Sequence, residues 1–196
     1  MGRRPAADDV VIAAVAAGKP HAFDVLVARW GPRVGAYLRH VVGEPAWVDD
    51  LTQEVFVKVH DHLHEREPNA SFAVWLFRIA RNTALDFERR RRLHARTLES
   101  AGKGRGPLAR LLARRRPPTP LAELESREFA VALELALAEL PEPQRTVFLL
   151  REREELAYEE IAAVVGCPAK TVSTRLARAR AYLRRRLAGF LEGPQP

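Results

Sequence analysis

The sequence predicts an all-α chain of two small helical domains: an N-terminal helical bundle and a C-terminal helix-turn-helix domain, joined by a flexible basic linker. Three observations predict it. Apolar residues recur three and four apart almost everywhere, with no strand-like alternation of any length. One stretch holding Gly102, Gly104, Gly106, Pro107, Pro117, Pro118 and Pro120 separates two helical halves. Hydrophobic residues make up 47% of the 196, enough for a core, so wholesale disorder is excluded.

The elements follow in order. Asp8 or Asp9 is expected to cap a short first helix. Pro20 opens a longer one with Phe23, Leu26, Val27, Trp30, Val34, Tyr37, Leu38 and Val41 on its apolar side, ended by Gly43 and Pro45. A third, from about Ala46 to Leu63, carries Val48, Leu51, Val55, Phe56 and Val59. Ser71 is placed to cap a fourth, through Phe72, Trp75, Leu76, Ile79 and Phe87 to a run of arginines. These make a first domain over residues 8–92. Residues 93–120 read as the linker, so the two domains are expected to tumble semi-independently. Helical pattern resumes at Leu121, is punctuated by Pro141 and Pro143, and continues to Leu187, giving a second domain over residues 121–189.

Charge is distributed unevenly. The formal net charge is +7 and the sequence pI about 10.3. Residues 89–116 hold eleven Lys or Arg and one acid, and residues 168–187 hold seven and none. Removing both leaves 14 basic and 24 acidic residues, so two basic stretches sit in an otherwise acidic chain, the footprint of a nucleic-acid partner. A solvated basic surface is the bland alternative. The single cysteine, Cys167, excludes a disulfide framework and reads as a small turn residue. Val10 to Ala17 is too short for a signal peptide, and no run is long enough to cross a membrane, so no membrane insertion and a cytoplasmic location are expected.

Near the C-terminal end, YEEIAAVVG, CPA and KTVS follow one another with helix-turn-helix spacing. Ala162 is small where two helices cross, and Gly166 can take the positive φ of a sharp turn. Val172, Leu176, Ala179, Leu183 and Leu187 form the buried stripe of the last helix. At 100° per residue the opposite face carries Lys170, Thr174, Ala177, Arg178 and Arg185, flanked by Ser173 and Arg175. Basic and hydroxyl side chains near a helix N-terminus suit the major groove. A plain packed α-hairpin needs no such charge.

Two stretches of the first half stand out. In DDLTQEVF, Asp50, Gln53 and Glu54 share a polar face, which a solvated surface and a partner site explain equally well. SFAVWLFRIARNTALDF places four aromatics close to arginines, a combination suited to stacking on unpaired bases. A Trp in such a helix is more often core.

The order of these motifs resembles the extracytoplasmic-function group of sigma-70-type transcription initiation factors. The resemblance covers DDLTQEVFVKVH (residues 49–60), SFAVWLFRIARNTALDFERRRR (71–92), LPEPQRTVFLLREREELAYEEIA (140–162) and TVSTRLARARAYLRRRL (171–187). It implies that Asp50, Gln53 and Glu54 face the clamp helices of core RNA polymerase. It implies that Asn69, Ser71 and Phe72 lie in a loop capturing a flipped base of the −10 element. Trp75, Arg78, Arg81 and Asn82 fall on the adjoining helix that contacts the same element. Arg145, Tyr158 and Glu159 match positions near the −35 backbone, and Ser173, Thr174, Ala177 and Arg178 match groove-facing positions. Lys170, Thr171 and Arg175, at the same helix end, complete the −35 set. Partners implied are core polymerase, double-stranded −35 DNA and melted −10 DNA, with an anti-sigma factor as one that the resemblance admits.

Other classes explain less. A stand-alone helix-turn-helix regulator accounts for the C-terminal half but leaves DDLTQEVF and WLFRIARN without a role. No Ser/His/Asp set, phosphate loop or paired buried carboxylates supports an enzyme. His60 and His64 could share a helix face and bind a metal, but no second ligand cluster accompanies them. No metal and no cofactor is expected.

Overall fold

A computed structural model describes residues 6–67, 70–98 and 121–191. All regular elements among the described residues are helical. The first domain comprises α1 (Ala6–Ala16), α2 (Ala22–Val42), α3 (Val48–His62) and α4 (Phe72–Leu98), with single 3-10 turns at Pro45–Trp47 and Leu63–Glu65. The second comprises α5 (Leu121–Glu139), α6 (Glu142–Glu152), α7 (Tyr158–Val165), α8 (Ala169–Arg186) and the short α9 (Ala188–Leu191).

The first domain closes around aromatic rings set edge to face. Trp30 on α2 meets Phe72 and Phe77 of α4 at centroid distances of 5.7 and 6.3 Å, and Tyr37 meets Phe77 at 5.5 Å. Such pairs add to what their burial alone contributes. Leu26, Val34 and Leu38 from α2, Val55 and Val59 from α3, and Leu76, Ala80 and Ala84 from α4 are fully enclosed. Gly43 ends α2 at φ 71°, its N–H donating to the Arg39 carbonyl, the left-handed cap that only glycine adopts without strain.

Helix α1 differs from its expected form. It begins at Ala6, so Asp8 and Asp9 lie in its first turn, where their charge still suits the helix dipole. Asp8 turns inward to accept from Arg29 and from the Trp30 indole, and Asp9 pairs with Arg66 at 3.0 Å. Both acids therefore dock the helix and do not cap it. Helix α4 also runs further than expected, to Leu98, because the residues after Arg92 are helix formers and the first glycine comes only at Gly102. The remainder of the expected linker, and Asn69, lie outside the described residues.

In the second domain, Val172, Leu176, Ala179, Leu183 and Leu187 are all buried, as their spacing predicts. Gly166 turns the chain at φ 68°, donating to the Ala162 carbonyl at 2.9 Å. The Glu160 carboxylate accepts the Ala157 N–H at 2.8 Å and so satisfies a free donor at the start of α7. Helix α5 docks on α8 through Ala136 and Leu137, with Leu140 just beyond its end.

The two domains do not stand apart. Helix α4 lies along α7, and α2 lies against α5 and α6, so side chains of both domains join one apolar core. Semi-independence was expected from linker composition, which is silent about complementary faces on the helices themselves.

The α5–α8 joint is closed by Glu139, which accepts from Tyr182 and from both ends of the Arg186 guanidinium at 3.0 and 3.1 Å. Arg186, and then Tyr182, hold the Glu139 carboxyl down at about 2. Because the folded pKa lies below the ordinary 4.5, this contribution is complete above 4.5 and is lost as pH falls through about 2. Melting curves taken downward through that window should lose a small increment in the wild type. Glu139→Gln should lack that increment already at neutral pH and show a flatter acid limb. Equal acid sensitivity in the two proteins would show that the joint does not rest on this carboxylate.

Candidate nucleic-acid interface

Helix α8 turns its apolar stripe inward and so commits the other side to solvent. Lys170, Ser173, Thr174, Ala177 and Arg178 are exposed, and Thr171 and Arg175 are half-buried. Among the described residues, no carboxylate lies within ion-pair distance of Lys170 or Arg178. Thr174 donates to the Lys170 carbonyl at 3.0 Å, leaving its oxygen lone pairs outward. Arg175 bends back toward the turn, 3.6 Å from the Cys167 sulfur. Further along, Arg186 is taken by Glu139, and Arg185 lies over the Tyr182 ring at 5.8 Å. Of the three terminal arginines, Arg184 alone has no such engagement among the described residues. The face can therefore offer hydroxyls and unpaired cations to a groove, with Arg178 and Thr174 one turn apart.

The positions ahead of α8 are disposed differently. Glu159 is exposed, whereas Tyr158 is half-buried with the Arg151 guanidinium over its ring at 5.4 Å. Arg145 is half-buried, near enough to Glu88 and Tyr37 of the first domain to feel their charge. Its Nη1 donates to the Ala138 carbonyl at 3.2 Å, and its buried Nε has no hydrogen-bond partner among the described residues. Burial pulls the Arg145 pKa down, against the opposing charges of Glu142 and Glu88 and the Tyr37 phenol.

Ser71, just before α4, and Arg78 and Asn82 on it form an exposed stripe at helical spacing, while Trp75, within the same stripe, is only 8% exposed. Phe72 is buried between Trp30 and Trp75, at 5.7 and 6.0 Å. Arg81 is largely enclosed, its Nε 3.6 Å from a Glu142 oxygen of the second domain. Of the −10 candidates described, three are open to solvent and three are held inside the protein.

On α3, Asp50 and Gln53 are exposed, and Gln53 borders an open apolar groove of Phe23, Val27, Phe56 and Val57. Glu54 is half-buried and paired with Lys58 at 2.8 Å and Arg90 at 3.5 Å. Burial pushes its carboxyl up, but the two cations outweigh that and hold it below the usual range. Glu54 thus ties α3 to α4, leaving Asp50 and Gln53 as the free part of the face. His60 and His64 do not share a helix face, since α3 ends at His62, and no cluster able to hold a metal occurs among the described residues.

Sequence reasoning missed a set of polar residues joining the domains: Arg33, Tyr37 and His40 from α2 with Glu134, Thr146, Arg153 and Glu154. The one available signal was His40 beside the apolar stripe of α2, at a position that is in fact buried.

The burial of Phe72 generates a prediction. Phe72→Ala should destabilise the fold by about 3–5 kcal/mol, as enclosed aromatics do, while Ser71→Ala next to it should leave the melting temperature unchanged. Thermal unfolding checks both. A stable Phe72→Ala protein would mean that the ring serves a ligand and not the core.

Comparison with known proteins identifies the two modules of the chain. Residues 26–94 match the family model described as Sigma-70 region 2, and residues 130–183 that of Sigma-70, region 4. An ECF RNA polymerase sigma-E factor of Haemophilus influenzae is 31% identical over 191 residues, covering 92% of this chain and 95% of that one. The Escherichia coli protein of the same description is 32% identical over 183 residues, 88% of this chain and 90% of that one. Among solved structures, CnrH in complex with the cytosolic domain of CnrY is similar with a TM-score of 0.63 and 29% identity, over 96% of this chain and 99% of that one. The sigma factor RpoE of Bartonella quintana, in complex with the anti-sigma factor NepR, shares the fold, with a TM-score of 0.64 and 23% identity over 89% of this chain and 99% of that one. With both conserved modules matched in order, across nearly the whole length of its relatives, the chain belongs to the extracytoplasmic-function group of the sigma-70 family.

Proposed function

We propose that this chain is a transcription initiation factor that binds core RNA polymerase and directs it to promoters, and that it works in the cytoplasm, where polymerase acts. As a sigma factor it is not an enzyme. The observation that carries the reading is the pairing of two exposed stripes, one on each matched module. Lys170, Ser173, Thr174, Ala177 and Arg178 on α8 suit the major groove of a −35 duplex. Arg78 and Asn82 on α4 and Ser71 at its start, with Asn69 before them in the chain, suit the backbone and splayed bases of a −10 element. Trp75, Arg81, Arg145, Tyr158, Glu159, Thr171 and Arg175 support these faces, Trp75 from a buried position, Glu159 from an exposed one and the others from half-buried ones. A stand-alone regulator would leave the region 2 match without a partner.

Polymerase contact falls to Asp50 and Gln53, with Glu54 stiffening the helix that presents them. Acids on a rim chiefly speed encounter and fix register. The Bartonella quintana sigma factor that shares this fold is seen with an anti-sigma factor, NepR, and a factor of that kind is a further partner for this chain under the same reading.

Run-off transcription with core polymerase and a promoter library tests the proposal, and two variants sharpen it. Arg178→Ala should lower use of the best −35 sequence and flatten preference among variants, since an Arg on a guanine edge discriminates by about 1–3 kcal/mol. Arg184→Ala should weaken all sequences alike and lessen the salt dependence. Uniform weakening by Arg178→Ala would make Arg178 a phosphate contact. Reversing charge at Asp50 should weaken core binding most at low salt, with helical content intact, and undiminished binding would remove α3 from the interface.

A further inference from the structure

Helix α8 carries a cation that it does not leave free for DNA. Ser173, Ala177, Arg180 and Arg184 follow one another three and four apart, so they line one edge of its exposed face. Arg184 has no carboxylate within ion-pair distance among the described residues. Arg180 does. Its Nε and Nη2 both donate to one Glu152 oxygen, at 3.0 and 2.6 Å. The Tyr158 phenol lies close enough to act on the same guanidinium. Tyr158 is one of the residues that the family resemblance sets near the −35 backbone, so under that reading Arg180 stands on the phosphate side of α8.

Folding gives little reason for an acid at position 152. Glu152 is the last residue of α6, where the negative end of the helix dipole disfavours a carboxylate. Both side chains are open to solvent, Arg180 at 45% and Glu152 at 38%, and ion pairs of that kind stabilise a fold only slightly. What the pair does change is the charge that α8 presents. The Nε–Nη2 edge of a guanidinium is a fork that fits phosphate as well as carboxylate. While Glu152 occupies it, a phosphate must displace a tethered competitor and then face that competitor's own charge. Arg178, with Thr174 one turn before it, has no such rival among the described residues.

We propose that Glu152 acts as an internal substitute for phosphate: it withholds Arg180 from the DNA backbone and so sets how strongly the −35 face holds DNA of any sequence. This rests on the promoter-recognition reading above. Backbone contacts strengthen binding to all sequences, whereas base-edge contacts tell them apart. Removing one backbone contact leaves the ratio of affinities unchanged but lowers them all. At limiting holoenzyme, weak −35 elements then empty before strong ones, and promoters are better resolved.

The measurement is binding of the reconstituted holoenzyme to duplexes with a matched or a scrambled −35 element, across a range of salt. Glu152→Gln should tighten both about tenfold at low salt and steepen the log–log salt slope by about 0.9, the increment for one added phosphate contact. Weak −35 variants should gain more transcription than the best one when holoenzyme is limiting. Arg180→Ala should leave the slope as it is, and Arg180→Ala with Glu152→Gln should keep the wild-type slope. Glu155→Gln, which removes an exposed acid three residues on, should leave the slope unchanged and controls for net charge. A flatter slope in Arg180→Ala would mean that Arg180 already meets a phosphate, and it would overturn the inference. So would an equal effect of Glu155→Gln, or a lower melting temperature in Glu152→Gln with no change of slope. A wild-type holoenzyme indifferent to the −35 element would instead remove the promoter-recognition reading itself.

Discussion

The strip of α4 between Phe72 and Ala84 is claimed from two sides at once. Phe72, Leu76, Phe77, Ala80 and Ala84 face inward, where Phe72 and Phe77 take the edge-to-face packing of Trp30 and Tyr37. A neighbouring strip seats α7 of the second domain. What remains for a ligand is the narrow outer stripe of Ser71, Arg78 and Asn82. A helix has room for about three such strips, set by its 3.6-residue period, so core, domain contact and nucleic acid compete for adjacent positions. Arg81 stands where two of these demands meet.

The same competition explains why the two DNA-facing helices look so unlike. Helix α8 is the last long helix and has only one apolar demand, its stripe from Val172 to Leu187, so its outer face is free to carry cations and hydroxyls. Helix α4 is central and must negotiate. Glu54 shows a similar compromise on α3: its carboxylate is drawn to Lys58 and Arg90, which fixes α3 against α4 while Asp50 and Gln53 project.

What was legible in the sequence was local. The stripe of α8, the left-handed turn at Gly166, the end of α2 at Gly43 and the core positions of α2 and α3 all follow from periodicity and backbone sterics, which act over a few residues. The family followed from the order of four motifs. Side-chain direction at Arg81 was not legible, because it is decided by a carboxylate on the other domain. His40 and Arg153 are 113 residues apart, and no pattern within either helix announces the other. The composition of the linker pointed to independence, yet complementarity between helix faces decides docking, and composition does not encode it.

A distance between the domains tests the account most directly. With Cys167→Ser removing the native thiol, spin labels at Val25→Cys on α2 and Ala181→Cys on α8 sit on exposed positions of opposite domains. Pulsed electron spin resonance on the free protein should give one narrow, short distribution, as two domains docked on a shared core require. A broad, long distribution would contradict that docking.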